Sequence, residues 1–224
     1  LLSDVYFTMG NVAAAQEMAF ESNIGALCDG NPRMTQRLVQ TNLIYGAYPV
    51  AEKYIAVLEN TFYYKDWAKA QRKFLYNDEA VETDPLLGNM RRNLLAENHL
   101  IQMDGFDTDL IRLAEQNPSN KAAFHYAGVF YLLAKDMTRF KTLVETYYGT
   151  DLLPSLPVSF QEAVIILSEK DPDYWKRFGV SESIVGRFTD YKRQVLAGRN
   201  NSNALPGLMY RSYGDTYWYY YMFK

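Results

Sequence analysis

The stretch 121–148, KAAFHYAGVFYLLAKDMTRFKTLVETYY, predicts two amphipathic helices joined by a very short polar turn. In each half, apolar residues recur at a spacing of three or four, which places their side chains on one face of a helix. They are Phe124, Ala127, Gly128 and Tyr131 in the first half, and Met137, Phe140, Val144, Tyr147 and Tyr148 in the second. A single helical hairpin cannot cover both apolar faces, so we expect neighbouring helices on either side of it.

The remaining periodic segments also have a helical period, and Gly, Pro or Asn residues separate them. We therefore predict an all-α fold, an irregular α-α superhelix of helical hairpins. Residues 61–76 are predicted to form one helix whose apolar residues include Phe62, Tyr63, Trp67 and Phe74. The loop DLLPSLP at 151–157 cannot continue a helix, because it contains two prolines. We place a boundary there, between a helical-repeat region, 1–148, and a C-terminal helical extension, 149–224, packed on the same stack.

The composition of the chain argues against several classes of function and structure. The 224 residues carry a net charge of −3, which argues against a nucleic-acid surface, since such domains usually carry a clustered basic excess. The most apolar run, 122–134, falls well short of the roughly 20 residues that cross a bilayer. A single cysteine, Cys28, excludes an intrachain disulfide. The aromatic fraction of 15%, with 19 tyrosines, is high, so tyrosine is expected to have a structural role.

Three segments resemble tetratricopeptide repeats, in which small residues let adjacent helices touch and larger residues fill the gaps. The matching positions are Leu2, Ser3, Tyr6, Gly10, Ala15 and Ala19; then Leu38, Gly46, Tyr48, Ala51 and Ile55; and then Phe124, Ala127, Gly128, Tyr131, Phe140 and Val144. The resemblance implies stacked helical hairpins whose concave surface binds a protein or peptide. Gly128 is expected to lie at a tight helix contact, and Gly10, near the chain start, to have few neighbours.

A second resemblance concerns the start at Leu1, the irregular repeats and the segment GDTYWYYYMF at 214–223. Together they resemble the soluble C-terminal region of an uncharacterised bacterial membrane-protein family of unknown function. This resemblance implies that an N-terminal part outside the present sequence tethers the protein to a bacterial membrane. It does not decide on which side of the membrane the protein lies. The membrane would then be a partner only through that anchor.

The aromatic segment YRSYGDTYWYYYMFK at 210–224 allows three interpretations. It could cap the helical stack, line a groove for sugar or peptide, or lie at a membrane interface. We predict a capping helix. The preceding helix, about 181–197, has an apolar stripe that needs a cover, formed by Ile184, Val185, Phe188, Tyr191 and Val195.

The sequence contains no pattern that indicates catalysis. Its two histidines, His99 and His125, are not in a zinc-binding arrangement, and no phosphate-binding or dinucleotide motif occurs. Asp104, Asp107 and Asp109 are better explained as caps of the next helix than as a catalytic pair. We therefore expect no catalytic residue, no metal and no cofactor.

The sequence thus favours a non-catalytic scaffold that binds a protein or peptide and no nucleic acid. Possible groove residues are His125, Tyr131, Trp67, Trp175 and Trp218. The alternative is a glycan-binding or glycan-processing α/α domain, in which the three tryptophans and some tyrosines stack on sugar rings beside carboxylates.

Overall fold

The helical period of the sequence is realised throughout the computed structural model, which describes residues 1–25, 30–95, 105–169, 171–200 and 203–224. These residues form helices and connecting turns without a strand; one isolated bridge pairs Tyr148 with Leu153. The all-α prediction is confirmed, and the superhelical arrangement stays a prediction. Cys28, His99 and Asp104 lie outside the described residues.

The chain divides into two units, Leu1–Ala127 and Gly128–Lys224, and α9 contributes residues to both. The predicted boundary after Tyr148 stays a prediction. Among the described residues up to 133, the helices are α1 Leu2–Thr8, α2 Val12–Ile24, α3 Pro32–Ile44, α4 Tyr48–Glu59, α5 Lys65–Gln71 with a 3₁₀ turn at Arg72–Phe74, α6 Asp78–Thr83, α7 Leu87–Arg92, α8 Phe106–Gln116 and α9 Lys121–Leu133. Those that follow are α10 Met137–Tyr147, α11 Val158–Leu167, α12 Pro172–Arg177, α13 Glu182–Gly198, α14 Leu205–Tyr213 and α15 Tyr217–Phe223.

In the first unit, consecutive helices pack on one another from α1 to α5, as expected for helical hairpins. Their apolar faces form one core, which includes Phe7, Leu43, Ile55, Leu58 and Phe74. The predicted breaks at Gly10 and Gly46 are confirmed, since both have positive φ angles, 85° and 72°.

The expectation that Gly10 has few neighbours is wrong. A Cβ atom built on Gly10 would lie 2.6 Å from the side-chain nitrogen of Asn93 and about as close to that of Asn120. The Asn120 amide donates a hydrogen bond to the carbonyl of Met9, 3.0 Å away. A residue far along the chain therefore closes over this turn, which no local pattern can indicate.

The helix predicted over 61–76 is also only partly correct. Residues 60–64 form a turn, and α5 begins at Lys65. Trp67 and Phe74 face the core of the first unit as predicted, but Phe62 and Tyr63 are exposed.

The central hairpin is confirmed as α9 and α10, and Asp136 caps α10 by accepting a hydrogen bond from the Arg139 amide, 3.0 Å away. In the second unit, Gly128 of α9 faces the Phe160 ring of α11. Phe140 of α10 meets the same ring edge-to-face, with 5.1 Å between centroids. Phe160 therefore joins three helices, and one of them approaches it through a residue with no side chain.

The C-terminal aromatic segment belongs to the folded core, as predicted. Phe188 and Tyr191 of α13 share one apolar cluster with Leu205, Met209 and Tyr213 of α14 and with Trp218 and Tyr219 of α15. Thr216 caps α15 by accepting a hydrogen bond from the Tyr219 amide, 3.2 Å away. The final two helices thus cover the apolar stripe of α13.

Tyrosine hydroxyls fix the last helix in place. Tyr217 donates a hydrogen bond to the Leu132 carbonyl, 2.9 Å away, and Tyr220 donates one to the Leu133 carbonyl, 2.7 Å away. Both carbonyls belong to the end of α9, where a helix has no partners of its own for them. The rings fill space while their hydroxyls satisfy a helix terminus, which is one use for the high tyrosine content.

Two glycines in helices of the second unit provide a matched test. Gly128→Ala should lower the free energy of unfolding by ~1–3 kcal/mol, because the new methyl group overlaps the Phe160 ring. Gly186→Ala should raise it by ~0.5–1 kcal/mol, because nothing lies within 4 Å of its Cβ position and alanine favours the helix. Urea denaturation of both variants measures the difference, and equal effects would contradict the close contact at Gly128.

Candidate functional site

An open apolar pocket lies in the second unit, between α11, α13 and α15, with a volume of 360 Å³. Its lining comes from residues far apart in sequence: Ile166, Glu169, Phe188, Tyr191, Lys192, Val195, Leu196, Trp218, Tyr221 and Met222. A pocket of this size and composition can accept one apolar group of a ligand or partner.

The inner wall of the pocket is aromatic. Trp218 is 1% exposed, and its ring lies 5.0 Å from that of Phe188 and 5.9 Å from that of Tyr191. The Tyr191 hydroxyl donates a hydrogen bond to the Trp218 carbonyl, 3.2 Å away. Burial raises the pKa of Tyr191 to about 12, so this hydroxyl stays protonated at neutral pH. The wall therefore carries no charge.

The mouth of the pocket combines exposed apolar side chains with one ion pair. Leu196, Tyr221 and Met222 are all exposed, and Leu196 keeps 59% of its surface in contact with solvent. Lys192 pairs with Glu169, and its ammonium lies 5.6 Å from the centre of the Phe188 ring. The two charges at the rim thus neutralise each other.

Glu162 of α11 holds α15 against the pocket. Its buried carboxylate accepts a hydrogen bond from the Tyr217 amide, 2.7 Å away, and its backbone carbonyl accepts one from the Trp218 indole, 2.8 Å away. Burial raises the pKa of Glu162, against the opposing effects of the Tyr217 hydrogen bond and the charge of Arg187. Asp215, which pairs with Arg187, adds to the increase.

The structure brings one of the five candidate groove residues to this pocket, namely Trp218. Trp175 packs half-buried against the same apolar cluster, and its indole nitrogen has no hydrogen-bond partner within the described residues. Tyr131 is buried. Trp67 packs half-buried on the core of the first unit. His125 is half-buried, and burial, together with the charge of Lys121, lowers its pKa.

Sequence reasoning found the apolar stripe of α13 but missed the pocket beside it. Lys192 and Leu196 each directly follow a residue of the stripe, and Glu169 lies just after α11; these three residues gave no signal as a group. Glu162 was missed as well, although a lone carboxylate directly before the apolar run AVIIL of α11 could have indicated a buried partner. In the described ranges, no three His, Cys, Asp or Glu side chains come together as a metal site would require.

The sequence matches the profile of one protein family along its full length, residues 1–224. The chain belongs to DUF6057, a family of unknown function. No curated protein and no solved structure matches the chain. The match confirms that the chain belongs to a family of unknown function, as expected, and the bacterial membrane part of that resemblance stays a prediction. Of the tetratricopeptide resemblance, the helical character agrees with the structure, and the repeat family itself stays a prediction.

Within the part of the chain that the structure describes, no helix combines the length and the apolar character that crossing a membrane requires.

The Glu162 carboxyl provides a test of how α15 is held. Because its pKa is raised in the folded protein, its ionisation should reduce stability as pH rises from about 4.5 through the folded-state pKa. Glu162→Gln keeps an acceptor for the Tyr217 amide and cannot ionise. The stability of this variant relative to wild type should therefore increase over that pH range in urea denaturation.

Glu162→Leu is the matched control, because it removes the acceptor as well as the charge. It should lose ~1–3 kcal/mol, the usual cost of leaving a buried donor unpaired. Parallel pH profiles for wild type and Glu162→Gln would show that the carboxyl titrates alike in the folded and unfolded protein.

Proposed function

We propose that this protein is a non-catalytic module that binds a protein or peptide, and that the pocket of the second unit receives an apolar side chain of that partner. The observation that carries the proposal is the open 360 Å³ pocket with an apolar wall and exposed apolar residues at its mouth. Sites where binding energy concentrates are typically pockets that an aromatic or aliphatic anchor fills.

The charges around the pocket define the group that enters. Lys192 and Glu169 pair with each other, and Trp218 and Tyr191 offer only ring surface and already bonded polar atoms. A charged group inside the pocket would lose its hydration without gaining a free counter-charge, which costs several kcal/mol. The entering side chain is therefore uncharged and apolar.

The exposed mouth favours binding over simple packing. Leu196 and Met222 each keep about half or more of their surface in water, beside rings that are almost fully covered. A partner segment that crosses the mouth would bury both side chains together with the anchor, and each buried aliphatic side chain contributes about 1.5–3 kcal/mol.

The glycan-binding alternative has less support. Sugar recognition requires an aromatic face that a ring can stack on, and the Trp218 ring is enclosed by Phe188 and Tyr191. Trp67 and Trp175 use part of their surface to pack on apolar cores. A peptide side chain needs only the space that the pocket offers.

The second part of the proposal is that this module belongs to a larger bacterial protein anchored in a membrane. Its support is the resemblance of the C-terminal aromatic segment and the irregular hairpins described above. Fractionation of cells that express the full-length gene product tests it: recovery in the membrane fraction supports anchoring, and recovery free of membranes contradicts it.

A peptide-display selection tests the pocket. A library of random peptides is selected on the wild-type protein alone, and binding of the enriched peptides is then measured to the wild type and to the double variant Leu196→Arg/Met222→Arg, which places charge at the mouth. We expect the enriched peptides to share one apolar anchor residue and to bind the double variant at least tenfold more weakly, because two unpaired charges at the mouth would be desolvated by an apolar side chain.

Leu208→Arg is the control for this selection, since Leu208 is 58% exposed on α14 and does not line the pocket. It should bind the selected peptides as the wild type does. Peptides without an apolar anchor, or equal binding to the double variant, would exclude the pocket as the peptide site.

A further inference from the structure

The turn between α4 and α5 exposes two adjacent aromatic side chains. Phe62 is 91% exposed and Tyr63 is 88% exposed, and their rings meet edge-to-face with 5.2 Å between centroids. We call this pair the aromatic tip. Single exposed apolar residues are ordinary, but two neighbouring rings almost entirely in water indicate a surface that contacts something else.

Hydrogen bonds on both sides hold the turn in shape. The Thr61 hydroxyl donates to the Leu58 carbonyl, 2.7 Å away, and accepts from the Tyr64 amide, 3.2 Å away. The Asn60 side chain donates to the Ala56 carbonyl, 2.9 Å away. These hydrogen bonds define the conformation of the turn, which exposes the aromatic tip to solvent.

The inward-facing residues of the same segment already have partners. Tyr64 and Trp67 pack against the core of the first unit. Four aromatic residues within six positions are therefore divided between the core and the solvent. Because the inner pair already covers this part of the core, the aromatic tip is not needed there.

The charges around the turn differ in sign from those of the chain as a whole. Residues 52–73 contain five basic residues and three acidic ones, whereas the whole chain has a net charge of −3. Arg72 binds both Glu59, 2.8 Å away, and Glu52, 3.5 Å away. Lys65 and Lys69 of α5 are exposed, and Lys65 follows the aromatic tip by two residues, with the exposed Asp66 as the opposing charge.

We propose that the aromatic tip inserts into the interfacial layer of an anionic lipid membrane, while Lys65 and Lys69 contact the lipid headgroups. Aromatic rings are favoured at that layer, and each lysine near an anionic surface strengthens binding roughly fivefold. This inference concerns the first unit and does not depend on the pocket of the second.

A lipid surface fits the aromatic tip better than a folded protein does. Two side chains on a convex turn offer far less than the roughly 800 Å² that each partner contributes to a specific protein interface. A bilayer needs no complementary pocket, and a small apolar insertion combined with basic residues is enough for reversible attachment.

Vesicle sedimentation tests the proposal, with the wild-type protein and vesicles of phosphatidylcholine with or without phosphatidylglycerol. We expect binding that requires phosphatidylglycerol and weakens as salt is raised. Phe62→Ser/Tyr63→Ser should abolish it, and Lys65→Gln/Lys69→Gln should weaken it roughly twenty-five-fold. None of these side chains is buried, so all variants should melt as the wild type does.

Two matched variants control for exposure and charge alone. Phe20→Ser removes an exposed aromatic residue from α2, and Lys141→Gln/Lys176→Gln removes two exposed lysines from the second unit. Both should bind vesicles as the wild type does. Phe62→Trp gives an independent measurement, since lipids brominated on their acyl chains should quench its fluorescence more than that of the wild type.

Three results would overturn the proposal: no binding of the wild type to phosphatidylglycerol vesicles at low salt, unchanged binding of Phe62→Ser/Tyr63→Ser, or equal quenching of Phe62→Trp and wild type. If the wild type self-associates without binding vesicles and the double serine variant stays monomeric, the aromatic tip joins copies of this chain and the lipid proposal is wrong.

Discussion

The second unit depends on the attachment of α15 to α11 through Glu162. A helix of seven residues has almost no stability of its own, because nucleating a helix costs more than so few hydrogen bonds return. The Glu162 carboxylate and carbonyl bind the first turn of α15 from one side, and the Tyr217 and Tyr220 hydroxyls bind the end of α9. Together with the apolar cluster around Trp218, these four hydrogen bonds hold α15 in the pocket wall.

The hydrogen bonds that hold α15 also explain why tyrosine suits this part of the chain better than phenylalanine, which has no hydroxyl. Tyr191, Tyr217 and Tyr220 each donate a hydrogen bond from the hydroxyl to a backbone carbonyl, while the ring packs against its neighbours. The carbonyls at the end of α9 would otherwise need water or another donor. A composition that looked unusual in the sequence thus corresponds to a repeated structural use, in which one side chain supplies both bulk and a donor.

The fold class could be predicted from the sequence because helical period, glycine breaks and caps are local properties. The aromatic tip could not, since periodicity counts Phe62 and Tyr63 as apolar whether they face the core or water, and Thr61 redirects the backbone at that point. The surroundings of Gly10 were missed because Asn93 and Asn120 arrive from distant segments. Trp218 could be proposed as a functional aromatic from its residue type alone. The residues that line the pocket with it could not be predicted as a group, because they also come from distant segments.

The shortness of α15 also determines how the pocket behaves in time. Since a helix of seven residues has almost no stability of its own, we expect it to dock or to be released as a whole. Release would remove Trp218, Tyr221 and Met222 from the wall in one step and leave no partial pocket. Anything that occupies the pocket therefore binds only the docked form and, by mass action, holds the end of the chain closed. Binding in the pocket and docking of α15 are therefore thermodynamically coupled in this unit.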